Sequence, residues 1–350
     1  MRNARLLTGL VLSALMLAAC GVGSGVTPGK KIALLLQDSA TAINTRAYFE
    51  DLVTQVCPNC QVLYSAAKTD AEQQTQATTA ISGGASVMAL DPVHGATAAA
   101  IVAQAKTANI PVISFDRMVA NTPNLSYFVS FDSGSAGGLI ASSLVTALGT
   151  KAKPTVVEID GDAADPATKT FKDAALAALN GTITPAKQFD TPGGTAANAK
   201  AETEQAMTEL NFRIDGVLAA NDKLAGGVIA AMKGNIRPWP PITGQGAELA
   251  AIQRIVTGDQ YMTLYFPAKA EAEAAAQLAY DLAFGITVPP SMSGGKTVNN
   301  GSADVPAVLV TPVVVTKVNI EATVVADGYW TADQICTSEV ISACAAAGIS

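Results

Sequence analysis

Histidine is almost missing from this chain: there is one, His94, in 350 residues. A site built on two imidazoles is therefore excluded, and with it the His-pair metalloproteases and the Cys/His zinc fingers. A Ser/His/Asp triad would have to use His94, and no Gly-x-Ser-x-Gly elbow is present to serve it. Charged residues are scarce at 15% and aromatics scarcer at 5%. No basic cluster stands out against a net charge of −7, so nucleic acid is not an expected partner. The chain is instead 49% hydrophobic, which supports a large core and argues against disorder. The length suggests about two domains of ordinary size.

One apolar run stands apart, at the start. Arg2 and Arg5 precede a stretch from Leu6 to Ala19, short of the roughly 20 residues that a transmembrane helix needs. It ends in Leu17-Ala18-Ala19-Cys20 before Gly21, which resembles the bacterial lipobox. Residues 1–19 are thus expected to be a lipoprotein signal peptide, with lipid attached to Cys20; an ordinary secretory signal is the alternative. The glycine-rich residues 20–30 read as a flexible tether. The mature protein is expected outside the bacterial cytoplasmic membrane or in the periplasm, held to the membrane by that lipid only. Loss of the two arginines takes its net charge from −7 to −9.

Four cysteines remain after processing. An even count in an exported chain reads as disulfides, and proximity pairs Cys57 with Cys60 and Cys336 with Cys344. Cys57-Pro-Asn-Cys60 also has the spacing of a redox motif. Such a motif belongs at the start of a helix, whereas this one follows a helical stretch (45–56) and leads into a strand, which favours a structural bridge.

The body alternates strand and helix. Ile32–Leu36 is an apolar run of the kind buried on both faces of a parallel sheet. Strands are expected at 61–64, 86–90, 111–115 and 127–131, with helices at 71–82 and 96–108 between them. The pattern restarts with helices at 134–148, 168–179, 198–210, 223–233, 248–256 and 269–283. Strands fall at 155–159, 216–220, 242–243 and 261–266, and β-branched runs at 308–317 and 322–325. The expected fold class is α/β, two Rossmann-like, doubly wound parallel-sheet lobes. No Pro/Ser-rich linker separates them, so strands must pass directly from one to the other. A cleft between two sets of strand carboxyl ends suggests a hinge-closing receptor for a small solute.

Short motifs then accumulate in order: Ile113-Ser-Phe-Asp-Arg-Met118, Tyr127-Phe-Val-Ser-Phe-Asp132, Ala219-Ala-Asn-Asp222, Ile242-Thr-Gly-Gln245 with Ala247-Glu-Leu249, Met262-Thr-Leu-Tyr265 with Pro267, and Asn299-Asn-Gly-Ser-Ala-Asp-Val-Pro306. Together they resemble the type I periplasmic binding proteins of ABC sugar importers, in particular the ribose/xylose-binding group, from Lys31 to about Gly328. The resemblance implies a three-crossover hinge near Asp132, Phe266–Ala268 and Val310–Pro312. It divides the chain into an N-terminal lobe (31–132 plus 268–310) and a C-terminal lobe (133–267 plus 311–350). It also implies a monomer, an ABC permease with its ATPase as partner, no cofactor and no enzymatic activity. The same fold could instead present its ligand to a membrane receptor kinase.

Carried over residue by residue, the resemblance names Asp116, Arg117, Asp165, Asn221 and Gln245 as ligand contacts. These types suit hydroxyl groups: carboxylates accept, guanidinium donates in a fork, and amides do both. Asp165 could equally cap the following helix, and Asp222 is expected to cap the helix after Asn221. The chain departs from the pattern elsewhere. Ile43 and Asn44 stand where the group has an Arg and an aromatic, with Arg46 one turn on as a substitute. Ala167 replaces an Asn, Gly246 an Asp and Phe266 a Lys. No equivalent of a stacking Trp exists near Gly193-Gly194, and Trp239 reads as loop packing. Asn44 and Phe266 are retained as cleft residues, Phe266 as an apolar wall. A cleft with fewer polar partners and no stacking platform favours a small or acyclic solute, so the expected one is a pentose or a four- or five-carbon polyol such as xylitol or threitol. His94 lies in a loop and is expected to be exposed or packed.

Overall fold

The structure, a computed structural model, describes residues 29–39, 42–179, 182–235 and 239–349, with the side chains of 166 and 167 excepted. The signal segment and Cys20 lie outside the described residues. In chain order the first half contains β1 (Lys31–Gln37), α1 (Ala42–Val56), β2 (Gln61–Ala67), α2 (Asp70–Ser82), β3 (Val87–Leu90), α3 (Ala99–Thr107), β4 (Val112–Phe115), β5 (Tyr127–Phe131) and α4 (Ser133–Leu148). The second half contains β6 (Val156–Asp160), α5 (Pro166–Leu179), β7 (Lys187–Asp190), α6 (Ala196–Glu209), β8 (Gly216–Ala219), α7 (Asp222–Met232), α8 (Leu249–Thr257), β9 (Met262–Tyr265) and α9 (Ala268–Phe284). After a short helix at Pro290–Ser293 come β10 (Thr297–Asn299), β11 (Asp304–Val310) and β12 (Val313–Thr316).

The first sheet has the order β10-β11-β5-β4-β3-β1-β2, parallel except for the β10–β11 pair. The apolar run of β1 is divided between its two faces. Ile32, Leu34 and Leu36 pack with Phe49 of α1 and the alanines of α9, whereas Ala33 and Leu35 pack toward α2 and α3. Helices on both faces explain why the strand is continuously hydrophobic rather than alternating. Thr69 and Glu72 start α2 with a reciprocal capping box.

The second sheet is built on β7-β6-β8. Single parallel bridges, Val217 to Ile242 and Gln245 to Leu264, continue it through residues 242–245 to β9, which pairs antiparallel with β12. Its helices cross closely. A Cβ on Gly137 of α4 would lie 2.1 Å from the Phe171 carbonyl oxygen of α5, and one on Gly227 of α7 would lie 2.2 Å from that of Ala196. The chain passes from the first sheet to the second after β5, returns between β9 and α9, and crosses again between β11 and β12.

Several local expectations need correcting. The β-branched run 308–317 is not one strand: it divides at Thr311-Pro312, and its halves join different sheets. Residues 322–325 are not a strand but lie in a wide helical turn, Glu321–Val325. Two short strands, β7 and β10, carry too few apolar residues to announce themselves. The tail from Ile320 to Ile349 packs on α8 and Tyr265 and is closed by the Cys336–Cys344 disulfide. The Cys57–Cys60 disulfide closes the turn from α1 into β2. Cys57 follows the carboxyl end of α1, where the helix dipole opposes a thiolate.

Candidate functional site

Because β1, β3 and β4 are parallel neighbours, their carboxyl ends lie at one edge, and the residues leaving them converge there. Asp91 follows β3, and Asp116 and Arg117 follow β4. Asp116 has a φ of 58°, and the Arg117 N–H donates to the Phe115 carbonyl at 2.6 Å. That makes a three-residue turn of the strained, positive-φ kind, a feature that concentrates at functional sites. The turn is braced from behind: Ser114 Oγ donates to the Arg117 carbonyl (2.6 Å) and accepts from the Val119 N–H (2.8 Å). The Asp91 loop is held by buried Gln73, whose amide donates to the Asp91 carbonyl (2.8 Å) and accepts from the Val93 N–H (3.0 Å).

Asp91, Asp116 and Arg117 line a cavity of about 250 Å³, just below the roughly 300 to 1,000 Å³ of most ligand pockets. Gln37, Ser39 and Thr45 contribute from the start of the first half, and Glu271 from the first turn of α9. Phe131 and Phe266 form an aromatic wall where the chain changes sheets, their rings edge to face with centroids 5.2 Å apart. Tyr329, from the tail, completes it. The Tyr329 ring lies 5.0 Å from that of Tyr265 and its hydroxyl 3.4 Å from the Gly246 carbonyl. Asp327 beside it accepts from the Tyr48 hydroxyl of α1 through its carbonyl (2.7 Å) and from the Tyr265 hydroxyl through Oδ2 (3.1 Å).

The cavity is strongly acidic. Arg117 Nε lies 3.9 Å from Asp91 Oδ1, and Asp91 Oδ2 accepts from the Gln37 N–H at 3.3 Å. Burial, aided by the Asp116 charge, pushes the Asp91 carboxyl up to about 6, against the pull of Gln37 and Arg117. Burial also raises Asp116, with Arg117 opposing. Glu271 is pushed to about 9 by burial and by the charges of Asp116 and Asp91. The arrangement offers carboxylate acceptors, one forked donor, the hydroxyls of Ser39 and Thr45 and an apolar wall. That is a set for holding hydroxyls and C–H faces rather than for driving a reaction. Among the described residues, no group of three His, Cys, Asp or Glu could hold a metal ion. A hollow of about 400 Å³ beside β2 and α2, lined by Lys31 and Gly83 among others, lies toward the opposite, amino-terminal end of β1.

Of the residues singled out in the sequence, Asp116, Arg117 and Phe266 line the cavity. Asp165, Asn221, Gln245 and Asn44 are not among its lining residues. Asp165 is exposed in the loop before α5. Asn44 is exposed on α1, and Thr45 faces the cavity instead. Arg46 does not substitute there, since it pairs with Glu50 at 2.8 Å and covers the Tyr64 ring. Gln245 Oε1 is buried without a hydrogen-bond partner. Asn221, not Asp222, caps α7: its Oδ1 accepts from the Leu224 N–H at 2.9 Å. Asp222 is fully buried and accepts from Gln260 Nε2 (2.8 Å), Thr263 Oγ1 (2.9 Å) and the Glu248 N–H (3.0 Å). His94 is exposed and pairs with Asp70 at 3.1 Å, and Trp239 packs against the core of the second sheet. Sequence reading missed Asp91, Glu271 and Tyr329. Asp91 carried the same signal as Asp116, an acid directly after a buried apolar run, whereas Glu271 is hidden in an alanine-rich helix whose other glutamate, Glu273, does not line the cavity.

Comparison with known proteins places this geometry. Residues 32–287 match the family described as periplasmic binding protein domain. The chain is 34% identical over 263 residues to the D-xylose-binding periplasmic protein of Escherichia coli, covering 73% of this chain and 77% of that protein. It is 30% identical over 284 residues to the multiple sugar-binding periplasmic receptor ChvE of Rhizobium radiobacter, covering 75% and 80%. A solute-binding protein structure from Clostridium phytofermentans with bound β-D-glucose has the same fold, with a TM-score of 0.65 at 23% identity, covering 87% of this chain and all of that one. The chain therefore belongs to the periplasmic binding protein family, as a binding protein rather than an enzyme.

Proposed function

We propose that the protein is the extracytoplasmic solute-binding component of an ABC importer, anchored by lipid at Cys20, and that it captures a small neutral carbohydrate. The reading rests on one observation: an acceptor-rich cavity at the strand ends, with Asp91, Asp116 and Arg117 on one side and the Phe131–Phe266 wall on the other. The relatives' names, D-xylose-binding and multiple sugar-binding, support it. The small volume favours a pentose or a four- or five-carbon polyol. The aromatic wall suits the C–H face of either.

The two lobes, 31–132 plus 268–310 and 133–267 plus 311–350, close on the solute by rotation about the three passages between the sheets. Closure brings Asp165, Asn221 and Gln245 to the ligand from the second lobe. Binding then selects the closed form because only that form completes the hydrogen bonds. Calorimetry against threitol, xylitol, xylose, ribose and glucose, with scattering to follow compaction, tests the reading. Asp116→Asn and Arg117→Ala should each weaken binding by about 2–4 kcal/mol, because each alters a charged partner in a desolvated site. Unchanged affinity in both variants, or binding of none of the five, would overturn it.

A further inference from the structure

Three carboxyl groups and a single guanidinium share the cavity: Asp91, Asp116, Glu271 and Arg117. Glu271 is the most enclosed of the four, only 4% exposed, and its Oε1 has no hydrogen-bond partner in the protein. Asp91 Oδ1 is also buried without a hydrogen bond, although Arg117 lies nearby. Among the described residues Arg117 is the only cation lining the cavity, and it sits beside Asp91 and Asp116 rather than serving Glu271. Tyr329 is the remaining titratable group there, and its hydroxyl is directed to Gly246. A buried carboxylate facing two others without a cation of its own is far more unstable than the neutral acid. The acid form also carries an O–H donor, which the carboxylate lacks, beside the hydroxyls of Ser39 and Thr45.

We propose that Glu271 contacts the solute as a neutral carboxylic acid, donating its O–H to a solute oxygen while Asp91 and Asp116 accept from solute hydroxyls. This makes Glu271 a specificity residue that confines the cleft to uncharged, hydroxyl-rich solutes. An anionic sugar acid is repelled by the two aspartates, and an ammonium group could pair with Glu271 only if that carboxyl first released its proton to solvent. The inference deepens the solute-binding reading and rests on it. Its predicted pH signature follows from the direction of the Glu271 shift: affinity holds through neutral pH and falls as pH rises past about 9, where the donor is lost.

The test joins infrared difference spectroscopy with calorimetry on the full mature protein. Near neutral pH, wild type minus Glu271→Gln should show a protonated-carboxyl band that moves on addition of whichever of the five solutes above binds most tightly. Glu271→Gln, which keeps an N–H donor, should bind that solute within about threefold of wild type and lose the alkaline fall. Glu271→Leu should bind about tenfold more weakly or worse, the usual effect of removing one buried hydrogen bond. Absence of the band would overturn the proposal alone, as would unchanged affinity in Glu271→Leu, affinity that rises as pH passes about 9, or tight binding of glucosamine with proton release. Failure of wild type to bind any of the five solutes would overturn the parent reading, and this proposal with it.

Discussion

Replacing Glu158 with Gln should stabilise the protein at neutral and alkaline pH and do nothing below about pH 4.5. Glu158 and Asp160 are both 0% exposed and point to the same side of β6. Lys172 reaches Asp160 at 3.1 Å and also serves Asp190 at 2.7 Å, so Glu158 has no close cation of its own. It accepts from Gln188 Nε2 at 2.8 Å through Oε2, while Oε1 finds no donor. Burial, with the Asp160 charge second, raises its carboxyl from 4.5 to about 7. At about 1.4 kcal/mol per pKa unit this corresponds to roughly 3 kcal/mol. Asp160 shares that penalty, so the expected gain in Glu158→Gln is about 1–3 kcal/mol.

The sign follows from the raised value in the folded state. The folded protein holds this proton more tightly than the unfolded chain. Stability is therefore full below about 4.5, declines as pH rises to about 7 and is flat above. A glutamine mimics the protonated acid, donating to Asp160 and accepting from Gln188, and has no proton to lose. Urea unfolding, followed by the fluorescence of Trp239 and Trp330, should show the variant more stable at about pH 8 and equal to wild type at about pH 4. A variant that is less stable at pH 8, or equally shifted at both pH values, would refute the account of Glu158 as a buried, proton-holding acid.

Two further outcomes are expected. Asp222→Ala strands the three donors that Asp222 satisfies, from Gln260, Thr263 and the Glu248 N–H. It should destabilise by about 3–5 kcal/mol in the same unfolding assay, and a loss below about 1 kcal/mol would show that those donors find other partners. Cys20→Ser should move the exported protein from the membrane fraction to the soluble one, and a wild type already free of membrane would remove the lipid anchor from the proposal.

The sequence alone determined the α/β alternation, because parallel strands covered on both faces must be apolar throughout. Ile32–Leu36 and Ile113–Phe115 could be little else. It also pointed to the two disulfides, since an even cysteine count in an exported chain favours the pairings that close the shortest loops, and it placed Asp116 and Arg117 at a strand end. What it could not decide was set by contacts between distant segments. The division of 308–317 between two sheets depends on which neighbours each half finds, Phe128–Phe131 for one and Met262–Tyr265 for the other. The exchange of roles between Asn221 and Asp222 depends on Gln260 and Thr263, about forty residues away, which draw the second acid into the core and leave the first to cap. Glu271 is one of two glutamates, with Glu273, in an alanine-rich helix. Only the packing of α9 against the ends of β3 and β4 encloses that one carboxyl beside Asp91 and Asp116 and leaves Glu273 outside the cavity.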